Sequence, residues 1–473
     1  MAGILTGYRT GYTRTRQAAM GDMTMAGFVS ARRWAWRGVL AAGLVLAAAS
    51  TALAQSDAAA TDEDYAFHGQ VTFVEQFHPG FTSPYRGGNS LDSGSRGMET
   101  VAATFFAGFR VWDGGQLYID PEVDQGFGLS DTFGIAAFPS GEAYKVGSSD
   151  PYGRLQQIFF RQVIGLGGGS QSVDPAANQL GMTQSTDNIT ITLGKFGVTS
   201  VFDTNAYAHD PSSDFLNWAL IDAGAFDYAA DAWGYTYGAS VEWTQSWWTL
   251  RSGFFAMSRL PNGKELQTDF TQFEVLDEAE ARLDLFGKEG KFKLLGFLNR
   301  ARMGSYDDAV NLAIATHSIP DTALVQKYNS RPGFSLNVEQ PVTDDLGAFL
   351  RVSFNNGEEE AYEFTEINQS VSGGVSLKGT RWGRDDDTVG IAGLVDGISQ
   401  AARRYFAAGG LGTLIGDGQL PHYATENIAE IYYSVQAAKG ATATLDYQFV
   451  ANPAYNADRG PVSIIAVRLH ASI

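Results

Sequence analysis

Thr100–Val111 reads TVAATFFAGFRV. One set of alternate positions, Val101, Ala103, Phe105, Ala107, Phe109 and Val111, is wholly apolar. The other set, Thr100, Ala102, Thr104, Phe106, Gly108 and Arg110, mixes small, polar and charged residues with one Phe. A period of two belongs to a β-strand, whose successive side chains point to opposite faces. Tyr235–Trp243 repeats the pattern, with Tyr235, Tyr237, Ala239, Val241 and Trp243 opposite Thr236, Gly238, Ser240 and Glu242. After a turn, Trp248, Leu250, Ser252 and Phe254 oppose Thr249, Arg251 and Gly253. The two faces decide the environment. A soluble β-sandwich turns its apolar face inward and its polar face to water. A membrane barrel turns an apolar, aromatic face to lipid and small, polar or charged residues to its lumen.

Comparable segments lie near Phe67–Val74, Asp187–Leu193, Ala279–Phe286, Phe334–Gln340, Leu346–Phe354 and Val371–Leu377. Others lie near Thr388–Val395, Ile428–Val435, Ala443–Val450 and Ser463–Ala471. Gly114-Gly115, Gly287 to Gly290, Thr343 to Asp345 and Asn355 to Gly357 supply turn chemistry at their ends. These segments lack the Pro and Lys that block exposed sheet edges, which favours a closed sheet. The expected fold class is therefore all-β, a transmembrane antiparallel β-barrel. Val101, Phe105, Val241 and Trp243 are read as facing lipid. Thr104 and Ser240 are read as lumenal, where a charge is expected to be nearly neutral for assembly. Asp214–Ala232, Ser305–Ala315 and Ser399–Ala408 carry apolar residues at three- and four-residue spacing and predict short helices in loops or in a barrel mouth. The alternative from another class is a secreted soluble carbohydrate-binding β-protein.

Composition agrees. Gly accounts for 55 of 473 residues, Pro for only 14, and the chain holds 30 Phe, 20 Tyr and 9 Trp. That apolar content is too high for disorder. A formal charge of −19 argues against binding nucleic acid through its phosphates. The absence of Cys excludes disulfides, thiolate metal sites and Cys nucleophiles.

Arg32, Arg33 and Arg37 precede an uncharged apolar run from Gly38 to Ser50, followed by Ala52-Leu53-Ala54. This is the pattern of a secretory signal peptide cleaved before Gln55. Residues 1–54 are assigned to it, with Met20, Met23 and Met25 as alternative starts that would make the preceding residues a spurious extension. Residues 55–64 form a polar, Ala-rich lead-in expected to be flexible, and residues 65–473 form the barrel. Beyond Gln55 no apolar run reaches the ~18 residues of a transmembrane helix.

Recognisable catalytic chemistry is missing. The six His fall in no metal-binding spacing, and neither a nucleophile elbow nor a phosphate-binding loop is present. The glycine run Gly409–Gly416 lacks the spacing of a nucleotide loop. The acidic runs Glu358–Glu360 and Asp385–Asp387 read most simply as solvated loops, with divalent-cation binding beside lipopolysaccharide as the minority reading. What remains is charge on the presumed lumenal faces: Arg110, Asp120, Glu122, Glu242, Arg251, Glu278, Glu280, Arg282 and Arg351. Charges of both signs across a water-filled channel set a transverse field and offer hydrogen bonds to a polyhydroxylated solute. The Arg fork suits vicinal hydroxyls, and a neighbouring carboxylate accepts from them.

Long strings then become recognisable. HGQVTFVEQFHPGFTSPYRGGNSL (His68–Leu91), GKFGVTSVFDTNAYAHDP (Gly194–Pro211) and LDYQFVANPAYNADRGPVSIIAVRLHA (Leu445–Ala471) resemble the carbohydrate-selective porins of Gram-negative outer membranes, the OprB type. So do DFLNWALIDAGAFDYAADAWGY (Asp214–Tyr235), KLLGFLNRARMGSYDDA (Lys293–Ala309) and SLKGTRWGRDDDTVGIAG (Ser376–Gly393). The resemblance spans nearly all of the chain after the leader. It implies about sixteen strands, long extracellular loops narrowing the pore, and an eyelet of Arg and acidic residues. It also implies passive, selective diffusion of sugars rather than catalysis, no cofactor, and a setting of outer-membrane lipid and lipopolysaccharide. Porins often form homotrimers, and the sequence leaves the oligomeric state open. For substrate contacts the candidates are Arg110, Arg251 and Arg351 as donors, with Asp120, Glu122 and Glu242 as acceptors. One departure is the C-terminus, Ala471-Ser472-Ile473, where many outer-membrane barrels end in an aromatic residue.

Overall fold

The computed structural model describes residues 62–143, 147–364 and 366–473. The signal-peptide segment and residues 55–61 of the lead-in lie outside them. Among the described residues, sixteen strands close into one antiparallel barrel in which each strand pairs with its sequence neighbours and the first pairs with the last. The strands are β1 (Tyr65–His78), β2 (Arg96–Trp112), β3 (Gly115–Gly126), β4 (Ser148–Val173), β5 (Met182–Phe196) and β6 (Thr236–Gln245). They continue with β7 (Trp248–Ala256), β8 (Phe273–Leu285), β9 (Lys288–Met303), β10 (Lys327–Pro341) and β11 (Leu346–Asn355). The last five are β12 (Gln369–Gly379), β13 (Arg384–Gly397), β14 (Glu426–Ala438), β15 (Ala441–Ala451) and β16 (Val462–Ser472). Closure leaves no sheet edge in contact with lipid, the condition for crossing a bilayer with strands.

The two ends differ. One carries tight turns: β8 and β9 are joined by Phe286 and Gly287, both at positive φ (58° and 73°), the backbone that a two-residue hairpin needs. The other end carries long loops, among them residues 197–235 between β5 and β6 and 398–425 between β13 and β14.

The faces fall as the alternation predicts. Val241 is 42% exposed on the outer wall while Ser240 beside it is 1% exposed. Phe105, Val241 and Trp243 are all exposed outward, and the apolar outer surface continues through Leu250, Leu294, Leu350, Ile391 and Ile465. Such a wall suits lipid and does not suit a protein dissolved in water. Val241→Arg is therefore expected to cost about 2–4 kcal/mol near the bilayer midplane. Heat-modifiable gel mobility checks this, and an unaltered folded fraction would mean the outward assignment is wrong. The expected neutrality of lumenal positions is corrected. Thr104 and Ser240 are buried, and Thr104 donates to the Glu122 carboxylate at 2.6 Å, so a new charge there meets packed protein rather than water.

The interior is filled because the long loops fold into it. Phe138, Trp218 and Phe364, from three different loops, stack at centroid distances of 5.1 and 4.8 Å, and Phe226 packs on Phe297 of β9. Two of the three expected helices are present, α2 (Tyr306–Thr316) and α3 (Gln400–Ala407), capped by the Ser305 and Ser399 side chains. The third is corrected: within Asp214–Ala232 only the turn α1 (Trp218–Ile221) is helical. Wall side chains capture the amides that a longer helix would use internally. Glu430 accepts from Leu216 and Asn217, Ser353 from Ala225, and Glu274 from Ala229.

The acidic runs are corrected likewise. Glu359 and Asp387 are buried, and Asp387 accepts from Arg384, the Tyr433 hydroxyl and the Gln436 amide. Glu358, Asp385 and Asp386 remain exposed.

Candidate functional site

The loop of residues 197–235 crosses the lumen and is tied to the wall by charge. Arg351 of β11, 1% exposed, donates to the carbonyls of Leu220 (2.7 Å), Ala208 (2.8 Å) and Asp203 (3.1 Å) and pairs with the Asp203 carboxylate at 3.3 Å. Asp203 also accepts from Ala223 N and Asn337 Nδ2, both at 2.7 Å. Five strands round the wall, Arg468 of β16 donates to the carbonyls of Pro211, Ser213 and Asp214. Asp231 joins Lys195 and Arg154 at 3.0 and 3.1 Å. Asp227 pairs with the fully buried Arg331 at 3.2 Å and accepts the backbone amides of Tyr362, Glu363 and Phe364. Ionised partners make the stronger class of hydrogen bond, and burial strengthens them further.

Within the loop, His209 and Asp222 lie 3.6 Å apart. Burial alone would lower the His209 pKa, but the Asp222 carboxylate outweighs it and leaves it raised. Burial raises that of Asp222, with His209 opposing the shift. On the short-turn side of the loop lies a recess of about 530 Å³, lined among others by Tyr207, Ser376, Lys378, Tyr432 and His470.

The wall carries two charged stretches. On β6 to β8, the Arg251 guanidinium lies 2.9 Å from Glu242, 2.7 Å from Glu278 and 2.9 Å from Glu280. Arg282 meets Glu280 at 2.6 Å, and farther round Lys291 meets Glu339 at 3.0 Å. Glu278 uses its other oxygen to accept the Asp203 amide at 2.8 Å, which couples this ladder to the inserted loop. On β3, Asp120, Glu122 and Asp124 point inward, and Gln156 donates to Glu122 at 2.8 Å. Donors and acceptors thus alternate along the lumenal wall, an arrangement able to exchange hydrogen bonds with a polar solute that carries no charge.

All six sequence-derived candidates belong to inward-facing positions, but they do not share one place. Glu242 and Arg251 stand together in the ladder. Glu122 stands with Asp120 on β3, where Asp120 is fully buried beneath Asn178 at 2.8 Å. Arg351 holds the inserted loop. Arg110 sits at the short-turn rim, where it donates to the Glu63 carbonyl at 2.9 Å and lies 3.7 Å from both Asp62 and Asp64. The same lead-in residues bind the β4–β5 turn through Gly181 and Thr183. Sequence reading missed Asp203, Asp227, Arg331, Glu430 and Arg468. The inward parity of Arg331, Glu430 and Arg468 was available; the loop residues Asp203 and Asp227 obey no periodicity.

A closed antiparallel barrel with a lipid-facing outer wall, a charged lumen and a loop folded across it is a porin. The family model described as carbohydrate-selective porin, OprB family, matches residues 89–472, and the chain belongs to that family. The high-pH structure of Pseudomonas putida OprB is similar at 16% identity, covering 87% of this chain and 94% of that one, with a TM-score of 0.65. The outer membrane channel DcaP of Acinetobacter baumannii is similar at 9% identity, covering 89% and 100%, with a TM-score of 0.50. At these identities the structures speak for the fold. No curated protein matches the chain. Its family is one of channels rather than enzymes, and family and fold together imply the outer membrane.

Proposed function

We propose that this porin passes small neutral sugars, mono- and disaccharides such as glucose, by passive and selective diffusion, and that residues 1–54 are the export signal. The observation that carries the substrate reading is the Arg251 fork set among Glu242, Glu278 and Glu280. It presents fixed donors and acceptors side by side on the wall, next to the loop that fills the lumen. Each hydrogen bond to such a charged group contributes about 1.5–3 kcal/mol. Two of them sum to about the −4 kcal/mol of a millimolar site, weak enough for release on the far side.

Liposome swelling against a panel of mono- and disaccharides tests the function. Sugars are expected to enter faster than charged solutes of equal size, and indifference to solute chemistry would sink the reading. Arg251→Ala removes the cation among three carboxylates, so ion selectivity is expected to move toward cations and the block of ion current by added sugar to weaken. Unchanged selectivity and block would place the sugar contacts elsewhere. N-terminal sequencing of the exported protein is expected to begin at Gln55.

A further inference from the structure

One connection at the short-turn end is not tight. β4 keeps its pairing with β3 only as far as Gln162, and β5 meets β6 only from Asn188 onward. Between those points the two strands continue past the wall as a ribbon, in which Ser170 pairs with Ser185 and Val173 with Met182. The ribbon does not run straight out. Its register shifts between Gly165 and Gly167 and again between Gly167 and Ser170. There Gly167, Gly168 and Gly169 have φ of 101°, 79° and 130°, backbone that is open to glycine and strained for other residues. A Cβ at Gly167 would meet nothing within 4 Å, so the bend and not packing calls for glycine.

The bend carries the hairpin tip back into the barrel mouth. Asn178 Nδ2 donates to Asp120 Oδ2 at 2.8 Å, Leu180 N to the Tyr118 hydroxyl at 3.1 Å, and Gln116 Nε2 to Met182 Sδ at 3.0 Å. Gln116, Tyr118 and Asp120 are all on the buried, inward face of β3. Leu180 is 1% exposed in this seat, whereas Leu166 to Ser172 of the same ribbon are exposed throughout. The lead-in then closes on the tip as a strap. Glu63 exchanges two bonds with Gly181, at 2.9 and 2.7 Å, and Asp62 accepts the Thr183 amide at 2.8 Å. At the rim the strap is anchored by the Arg110 backbone amide, which donates to the Asp64 carbonyl and is kept in Arg110→Ala. None of these bonds belongs to the pairing of the wall, so the tip can leave its seat with the barrel closed. One term opposes closure. Asp120 Oδ1 is buried without a hydrogen-bond partner, and such an oxygen carries a desolvation cost that lifting the tip removes.

We infer that the β4–β5 hairpin is a lid in the short-turn mouth, hinged at Gly167–Gly169 and strapped shut by Asp62 and Glu63, and that lifting it uncovers the Asp120 carboxylate to the exit path. A few bonds working against one buried, half-satisfied carboxylate make a hinge that moves rather than a fixed plug. Small ions report this movement whichever solute the porin selects, so the lid stands or falls apart from the sugar reading.

The chain has no Cys, so an introduced one is its sole thiol. A charged, membrane-impermeant thiol reagent added from the short-turn side is expected to modify Leu180→Cys about tenfold more slowly than Gln171→Cys on the exposed part of the ribbon. Met182→Cys, also buried, serves as a second probe that leaves the Leu180 packing intact. Adding either Asn178→Gly or the pair Asp62→Ala, Glu63→Ala is expected to speed the slow reaction by about two- to tenfold for each hydrogen bond lost. Asn178 has φ of 57°, so glycine removes its amide without disturbing the turn. In planar bilayers the same changes, made in the Cys-free chain, are expected to lengthen the high-conductance periods by the same factor and to raise cation preference through Asp120. Equal rates at all three cysteines would mean that the tip is not seated, and would overturn the lid. Slow rates that neither change alters, with currents also unaltered, would make the hairpin a fixed brace and overturn the hinge. Faster modification with unaltered currents would overturn control of the exit. Longer openings without a gain in cation preference would overturn the uncovering of Asp120.

Discussion

Asp227→Ala is expected to release the lumenal loops while leaving the barrel wall closed. The Asp227 carboxylate answers the buried Arg331 guanidinium and three consecutive amides, Tyr362, Glu363 and Phe364, in the neighbouring loop. Removing one partner of a buried pair leaves an uncompensated charge, at a cost of about 3–5 kcal/mol. The amides that lose their acceptor add to this, though not additively, because they share one partner. None of these bonds belongs to a strand ladder, so the loss falls on loop closure. At 1.4 kcal/mol per factor of ten, the ratio of closed to open loop drops by about two to four powers of ten. Expected observations are a higher and noisier single-channel conductance and new protease sites within residues 197–235, with heat-modifiable mobility retained. Asp227→Asn keeps one carbonyl acceptor and should fall between. Wild-type conductance and protease resistance in Asp227→Ala would show that the stacked aromatics Phe138, Trp218 and Phe364 hold the loops without it.

That keystone marks where sequence reading stops. Alternation located β1, β2, β5 to β8 and β10 to β16 because each needs a continuous apolar face toward lipid, and hydrophobicity with a period of two is directly visible. β3, β4 and β9 do not stand out by alternation. β3 carries Pro121 with three inward acids, β4 runs through Gly165 and Gly167 to Gly169, and β9 opens with Lys288, Glu289 and Lys291. In β3 and β4 the apolar half of the pattern is interrupted where the strands bulge, and in β9 the outward Phe292, Leu294 and Leu298 alternate with inward Leu295 and Phe297, which are equally apolar. The inward positions of the candidate charges were legible for the same reason of parity. Their partners were not, because a loop folded across a lumen is fixed by long-range pairs such as Asp203 with Arg351, for which no local signal exists. Asp214–Ala232 is the instructive case. Its apolar spacing is real and its side chains are buried, but the carboxylates around it bind its backbone better as an irregular chain than as a helix.

The remaining large effect separates two arginines that the sequence treats alike. Arg351→Ala removes four hydrogen bonds to the inserted loop and strips the fully buried Asp203 of its cation. Two other donors, Ala223 N and Asn337 Nδ2, still serve that carboxylate. They stabilise it without neutralising it, and the expected cost is again about 3–5 kcal/mol of loop attachment. Arg351→Lys keeps the charge but not the planar fork that reaches three carbonyls at once, so partial rescue is expected. Arg110 differs in every respect. Its carboxylate partners Asp62 and Asp64 are 56% and 86% exposed, and exposed pairs contribute about 0–1 kcal/mol. Its bond to the Glu63 carbonyl secures the lead-in at the short-turn rim, not the loop in the lumen. Planar-bilayer recordings should therefore show raised ion conductance and weakened sugar block in Arg351→Ala, and neither change in Arg110→Ala. The opposite result, with Arg110→Ala altering both and Arg351→Ala neither, would mean that selection occurs at the short-turn rim, with the inserted loop serving only to brace the wall.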